Sequence, residues 1–163
     1  MSPTDQNTGA ELNQPAPGFS LPDSSGNLVT LASYQGKHIV VVYFYPKAGS
    51  AGCTAEACKF RDEYESFSDL GAEVIGISSD AAHQLQKFAA SNRLPFRLLS
   101  DAGGKVRKAW GVPKDLLFLP GRVTYVIDRA GIVRHIFRSA TNMTKHMTEA
   151  ARVVKQLSEN EYA

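Results

Sequence analysis

The strongest constraint on the fold of this chain is an unbroken apolar run over residues 39–45. Every residue in the run is β-branched or aromatic, and no polar residue alternates with them. A strand of this composition is typical of the centre of a sheet that is covered on both faces. The run therefore predicts an α/β domain with helices packed on a central sheet. Pro46 and Gly49 follow directly and predict the loop that ends the strand.

The rest of the chain alternates between strand-like and helix-like segments. Short β-branched runs predict further strands, and apolar stripes at helical spacing predict helices. Alternating strands and helices come first and an antiparallel hairpin follows. This order predicts a thioredoxin-like fold with a mixed sheet and an N-terminal hairpin extension. We predict a hairpin within 15–31, strands over 73–78, 96–100, 123–128 and 132–138, and helices over 54–70, 81–92, 105–110 and 144–157.

Capping side chains precede two of these helices. Ser79 or Asp80 can cap the helix over 81–92, and Asn142 or Thr144 can cap the last helix. The apolar segment 116–120 lies between predicted elements and is expected to pack against the domain rather than to bind a ligand.

Size and charge exclude several classes of function. The chain has 163 residues, so we expect one domain over 14–163 behind a flexible lead over 1–13. The formal net charge is only +2 and no Lys/Arg cluster occurs, so no nucleic-acid partner is expected. No apolar run is long enough to span a membrane. No targeting signal is visible at the start, which predicts the cytoplasm, or the chloroplast if a transit peptide has been removed.

Cys53 and Cys58 are the only cysteines in the sequence, with four residues between them. Cys53 lies where the loop meets the predicted helix, and the unpaired N–H groups and dipole of a helix start favour a thiolate. In a reducing compartment, a close pair is more often catalytic or redox-active than structural. Two buried structural cysteines are the alternative. Cys58 fits that alternative well, but Cys53 fits it badly because Gly52 and Thr54 flank it at a loop–helix junction.

The spacing of the two cysteines sets a geometric condition. Helical residues five positions apart differ by about 7.5 Å of rise and about 140° of rotation. Their Cα atoms are then roughly 8–9 Å apart, beyond the ~7 Å limit for a disulfide. The pair can bond only if the first turns unwind. The spacing therefore predicts a folded dithiol and a locally unwound disulfide, unlike a Cys-x-x-Cys thioredoxin.

A metal or cofactor site is the weaker alternative. Zinc needs three or four protein ligands, and the histidines of this chain have no ligand spacing. Each is expected to be an ordinary surface or half-buried residue, and no metal or cofactor is expected. The four are His38, His83, His135 and His146.

The segment 44–58 resembles the active-site segment of peroxiredoxins of the bacterioferritin-comigratory, or Q, type. It reads Phe-Tyr-Pro-Lys, then Ser-x-Gly-Cys-Thr-x-Glu-Ala-Cys. The likeness extends over most of the chain and includes residues 15–21, 99–101, 109–112 and 121–128. Ser50 stands where the family usually has threonine, and Ala51 where it has proline. The segment 112–122 is most similar to the cyanobacterial and chloroplast branch.

The resemblance implies a thiol peroxidase that reduces hydrogen peroxide and organic hydroperoxides, and we expect the chain to be a monomer. It implies that Cys53 is the peroxidatic cysteine and becomes a sulfenic acid. Cys58 would then resolve this acid as an intramolecular disulfide, and thioredoxin or a similar dithiol would reduce the disulfide. The other matching active-site positions are Pro46, Ser50 and Arg122, and the backbone N–H groups of Gly52 and Cys53 are expected to help bind the peroxide.

Thiol activation alone does not account for fast peroxide reduction. A lower thiol pKa raises the thiolate fraction but weakens the nucleophile, with a Brønsted slope of about 0.4–0.5, so the two effects largely cancel. Most of the catalysis must act on the peroxide, and Arg122 offers a rigid fork of donors for the leaving oxygen. A surface salt bridge is the alternative for Arg122. Glu56 lies near the helix start, where carboxylates are common simply as dipole partners.

Two other classes of function stay open. A disulfide reductase of thioredoxin type would reduce insulin without consuming peroxide. A peroxide-sensing redox switch would stop after one oxidation, and its local unwinding would expose a partner-binding surface. An assay of peroxide consumption with a thioredoxin system distinguishes the peroxidase, the disulfide reductase and the redox switch.

Overall fold

The computed structural model describes residues 9–115 and 119–160. A 3₁₀ turn at Leu31–Tyr34 follows the second strand. The strands are β1 (Ser20–Pro22), β2 (Leu28–Thr30), β3 (Ile39–Phe44), β4 (Ala72–Ser78), β5 (Arg97–Ser100), β6 (Lys114–Asp115), β7 (Leu119–Pro120), β8 (Val123–Ile127) and β9 (Val133–Arg138). The helices are α1 (Ala51–Asp69), α2 (Ala82–Asn92), α3 (Lys105–Ala109) and α4 (Met143–Asn160).

A five-stranded mixed sheet forms the centre of the domain, in the order β5–β4–β3–β8–β9. β3, β4 and β5 are parallel, whereas β8 is antiparallel to β3 and β9 is antiparallel to β8. All of β3 is buried, as its composition predicts. β1 and β2 form a separate antiparallel hairpin. The predicted thioredoxin-like fold with a mixed sheet and an N-terminal hairpin is therefore confirmed.

The side chains of β3 alternate between two hydrophobic cores. Val41 and Tyr43 pack into the core shared with α1, α2 and α4. Val42 and Phe44 pack into the core on the other face, around Trp110 and the hairpin. The sheet is therefore covered on both faces. This arrangement leaves the carboxyl end of β3 as the place where the active-site loop emerges.

The helix that carries the cysteines begins earlier than predicted, at Ala51 instead of Thr54. Ser50 is its N-cap, and the Ser50 carbonyl accepts from the Thr54 backbone N–H at 2.9 Å. Glycine is unfavourable inside a helix, so Gly52 led to a predicted start that is too late in the chain. The first turn has few intrahelical N–H bonds to lose, so Gly52 is tolerated there. Cys53 consequently lies within the first turn.

The predicted cap of α2 is wrong, and one of the two predicted caps of α4 is confirmed. Ala81 occupies the cap position of α2, and its N–H donates to Gln84 Oε1 at 3.0 Å. Asp80 instead accepts from the Ala48 N–H at 2.8 Å, which draws it toward the active-site loop. Asn142 Oδ1 accepts from the Lys145 N–H at 3.1 Å and caps α4.

Parts of two predictions fall outside the described residues, namely 1–8 of the expected lead and 116–118 of the apolar segment. Within the described part of the lead, the Ala10 N–H donates to the Trp110 carbonyl at 2.9 Å. The Asn13 N–H donates to the Val133 carbonyl at 2.7 Å. Over the described ranges, none of the helices combines the length and apolar character needed to cross a bilayer.

Candidate active site

The loop after β3 is fixed at two points by side chains from distant parts of the chain. The Ala48 N–H, in the middle of the loop, donates to Asp80. At the start of the loop, Arg107 Nη2 donates to the Tyr45 carbonyl at 2.7 Å. Arg107 Nη1 also donates to the Gly121 carbonyl at 2.8 Å. One buried guanidinium therefore ties the loop to the residue that precedes Arg122.

The sulfur of Cys53 is buried and faces two hydrogen-bond donors. Cys53 is 1% exposed, in the first turn of α1. Arg122 Nη2 donates to Sγ at 3.4 Å, and the Lys47 backbone N–H donates at 3.5 Å. Both donors, together with the helix start, stabilise negative charge on sulfur. The structure thus brings the predicted nucleophile and the predicted arginine into direct contact.

Arg122 is buried and held on three sides, so the surface salt bridge considered for it is wrong. Its Nη1 donates to Glu56 Oε1 at 2.6 Å, with the two side chains 6% and 0% exposed. Its Nε donates to the Ala140 carbonyl at 3.3 Å. Burial raises the pKa of Glu56 to about 7, although Arg122 opposes the shift. Glu56 is therefore a buried partner of Arg122 and more than a helix-dipole partner.

His146 of α4 lies beneath Glu56, fully buried, and the prediction of an ordinary surface or half-buried histidine is wrong. Its Nε2 lies 2.7 Å from the Ser139 carbonyl, so this nitrogen carries the proton. Its Nδ1 lies 2.8 Å from Thr124 Oγ1. Burial lowers the pKa of His146 to about 4; the Ser139 hydrogen bond opposes the shift and Arg122 adds to it. The imidazole is consequently neutral at physiological pH, and Nδ1 accepts from the Thr124 hydroxyl.

The other predicted site residues surround the cysteine backbone. Ser50 Oγ accepts from the Cys53 N–H at 3.4 Å and donates to the Lys47 carbonyl at 2.9 Å. Pro46 is half-buried and directly precedes Lys47, whose N–H points at the sulfur. A Cβ at Gly52 would lie 2.8 Å from Met143 Cε and 3.2 Å from Arg122 Nη2. Glycine therefore permits the close approach of the guanidinium to the first turn of α1.

Cys58 is on the same continuous helix but has different neighbours. It is half-buried, and its Sγ lies 3.9 Å from Asn92 Oδ1 of α2. Both cysteines are free thiols. Just beyond Cys58, Arg61 Nη1 donates to the Asn92 carbonyl at 2.9 Å and fastens α1 to α2. The structure thus contains the unbonded, helical state that the spacing predicts, and it does not bring the two sulfurs together.

Comparison with known proteins places these features in a family. The sequence profile of the AhpC/TSA family matches residues 12–136. The chloroplastic peroxiredoxin Q of Triticum aestivum is 50% identical over 142 residues, which are 86% of this chain and 65% of that protein. The chain thus spans 65% of the length of this relative. The chloroplastic peroxiredoxin Q of Sedum lineare is 49% identical over 86% of this chain and 76% of its own length.

Solved structures give the same result. Peroxidoxin BcpB from Mycobacterium tuberculosis is 34% identical and superposes with a TM-score of 0.84, covering 91% of this chain and 98% of that one. Peroxiredoxin Q from Xanthomonas campestris is 27% identical and superposes with a TM-score of 0.79, covering 86% of this chain and 91% of that one. The predicted resemblance is confirmed. The chain belongs to the AhpC/TSA family and, within it, to the peroxiredoxins of the Q type.

Proposed function

We propose that this chain is a thiol peroxidase that reduces hydrogen peroxide and organic hydroperoxides at Cys53. The observation that carries this function is the contact of 3.4 Å between Cys53 Sγ and Arg122 Nη2 at the start of a helix. A buried thiol beside a fixed guanidinium provides both a nucleophile and a donor for developing charge. Membership of the peroxiredoxin family supports the same activity.

In the first step, the Cys53 thiolate attacks one oxygen of the peroxide. An S–O bond forms, the O–O bond breaks, and sulfur is oxidised by two electrons to a sulfenic acid. The leaving oxygen takes up a proton and departs as water or an alcohol. Arg122 and the Lys47 N–H stabilise the charge on the oxygens as the bond breaks. Pro46, Ser50 and the backbone N–H groups of Gly52 and Cys53 complete the proposed peroxide site.

In the second step, Cys58 resolves the sulfenic acid. The Cys58 sulfur attacks Cys53 sulfur, the S–S bond forms, and the S–O bond breaks with loss of water. An external dithiol such as thioredoxin then reduces the disulfide and is itself oxidised. Both cysteines belong to one chain, so we infer that a monomer suffices. The relatives from Triticum aestivum and Sedum lineare are chloroplastic by name, and we infer a thiol-reducing compartment, cytoplasm or chloroplast, for this chain.

Peroxide consumption coupled to thioredoxin and its reductase tests this function. We expect continuous turnover with hydrogen peroxide and with an alkyl hydroperoxide. Reduction of insulin without consumption of peroxide would instead identify a disulfide reductase. A single oxidation followed by a halt would identify a redox switch.

Replacing Cys58 by serine separates the two steps. We expect Cys58→Ser to reduce the first equivalent of peroxide at a rate within about threefold of the wild type, because Arg122 and Cys53 are unchanged. No intramolecular disulfide forms, so thioredoxin-driven turnover falls by at least about tenfold. Rapid-quench mass analysis of the two reactions checks both rates, with Cys53→Ser as the unreactive control. Normal cycling of Cys58→Ser with thioredoxin would exclude Cys58 as the resolving residue.

A further inference from the structure

Glu56 lies between the two cysteines, in the part of α1 that must unwind before they can bond. Within 53–58 it is the buried charged residue, and its side chain is 0% exposed. Unwinding of these turns therefore carries the Glu56 carboxylate from the core into water. The resolving step is thus coupled to the environment of this one carboxylate.

The two oxygens of Glu56 have unequal environments. Oε1 accepts from Arg122 Nη1 at 2.6 Å. Oε2 is buried and has no hydrogen-bond partner among the described residues. Its polar neighbour is His146 Nδ1, at 3.6 Å. That nitrogen is an acceptor occupied by the Thr124 hydroxyl, since Nε2 carries the proton toward Ser139. The one lone pair of Nδ1 is therefore already engaged by Thr124, and the imidazole offers no donor to the carboxylate.

A buried carboxylate oxygen without a donor is unfavourable, and water would supply the missing hydrogen bonds. The folded start of α1 is thus stabilised by the Arg122 pair and destabilised by the second oxygen. An unfavourable contact of this kind at a functional site is a source of free energy for a conformational change. Here the change that relieves it is the one that brings Cys58 to Cys53.

We propose that Glu56 is a positioning residue for the resolving step, which promotes unwinding of the first turns of α1 because His146 leaves Oε2 without a donor. This role rests on the Cys53–Cys58 disulfide of the proposed function. Arg61, fastened to the Asn92 carbonyl, marks the end of the segment that unwinds. Glu56 acts through the helix and does not contact the reacting sulfur in the resolving step.

The role has a defined pH dependence. The folded pKa of Glu56 is raised by burial from its ordinary value of 4.5 to about 7, and unwinding restores the ordinary value. A raised carboxyl pKa favours the folded helix at low pH, and this preference is lost as the pH rises. Unwinding therefore becomes easier, by up to about tenfold per pH unit, between pH 4.5 and about 7. Above that range the contribution of Glu56 is constant.

The other groups that face Glu56 do not titrate across this window. Burial lowers the pKa of Arg122, but the Glu56 carboxylate raises it, and the net pKa is raised. The guanidinium therefore remains charged. His146, from α4, is neutral above about pH 4. Burial raises the pKa values of Tyr43 and Tyr45, on β3 and at its end, so both phenols remain neutral. Cys53 is already a sulfenic acid when resolution begins.

The test compares the wild type with Glu56→Gln. The amide keeps an acceptor for Arg122 but carries no charge, so it removes the buried charged oxygen that has no donor, and the folded helix becomes more favourable. One equivalent of peroxide is added, the reaction is quenched at intervals, and mass analysis separates sulfenic acid from disulfide. The rate of disulfide formation is measured from about pH 5 to about pH 8. The control is Glu65→Gln, which removes an exposed carboxylate from the same helix.

We expect the ratio of wild-type to Glu56→Gln resolving rates to rise by at least about tenfold from about pH 5 to about pH 8 and to level off above about pH 7. Effects of pH that are common to the two proteins cancel in the ratio. Glu65→Gln should follow the wild type at every pH. A ratio independent of pH, or faster resolution by Glu56→Gln at about pH 8, would overturn the role of Glu56 while leaving the peroxidase intact. Absence of the disulfide in the wild type would overturn both.

Amide hydrogen exchange of the reduced proteins provides a second measurement that does not depend on peroxide. After correction for intrinsic exchange, the ratio of wild-type to Glu56→Gln protection over residues 52–58 should fall with rising pH, because Cys53 and its neighbours are common to both proteins. The same pH dependence in both proteins would contradict the role of Glu56.

Discussion

Replacing Cys53 by serine is expected to abolish peroxide turnover while the domain keeps its fold. A serine hydroxyl stays protonated at neutral pH and cannot form the sulfenic acid, so the rate should fall by at least about a thousandfold. Serine is nearly isosteric with cysteine, and its oxygen can accept from Arg122 and from the Lys47 N–H, which face Cys53 Sγ. Peroxide consumption and thermal unfolding, measured on the same preparation, check the two expectations.

The control for this variant is Cys58→Ser, which should still reduce one equivalent of peroxide. The comparison separates loss of the nucleophile from general loss of a thiol on α1. Turnover of Cys53→Ser above about one per cent of the wild-type rate would exclude Cys53 as the nucleophile.

Replacing Arg122 by alanine is expected to slow the reaction of Cys53 with peroxide by about 10²–10³-fold, the usual loss when a donor to developing charge is removed. Alkylation by iodoacetamide should fall much less, because it needs the thiolate but has no leaving oxygen for Arg122 to stabilise. Stopped-flow rates for the two reagents, measured on the same variant, separate these effects. Equal losses of rate with both reagents would show that Arg122 acts only by stabilising the thiolate.

Loss of Arg122 also leaves Glu56 without its ion-pair partner, so a control for stability is needed. Breaking a buried ion pair on one side commonly costs about 3–5 kcal/mol, because a buried charge stays uncompensated. Glu56, whose pKa burial already raises to about 7, can limit this cost by taking up a proton. The double variant Arg122→Ala/Glu56→Gln should therefore recover stability without recovering the peroxide rate. Recovery of both would show that Arg122→Ala acts by misfolding.

The sequence predicts the parts of this molecule that depend on local pattern. The apolar run over 39–45 indicates a central strand, and β3 is buried throughout. The loop that follows indicates a cysteine at a helix start, and Cys53 lies in the first turn of α1. The boundary is wrong by three residues because Ser50 is an effective cap and the first turn tolerates Gly52. Local propensity thus identifies elements better than their ends.

The contacts around the sulfur depend on tertiary structure and are harder to predict. Glu56 and Arg122 are 66 positions apart, and Arg107 lies 62 positions from the carbonyl it holds. No local pattern specifies such pairs. A signal for His146 was nevertheless present, because Ala150 and Val153 follow it at helical spacing and share its buried face. A polar residue within an apolar stripe indicates a buried group that needs partners.

Amide hydrogen exchange across α1, in the reduced and the oxidised protein, tests the central claim most directly. We expect residues 52–60 to exchange faster once the Cys53–Cys58 disulfide has formed, because that bond cannot close on an intact helix. Protection of β3 should stay the same, and protection beyond Arg61 should change little because Arg61 holds α1 to α2. Equal protection of 52–60 in both forms, with the intramolecular disulfide confirmed by mass, would contradict the account.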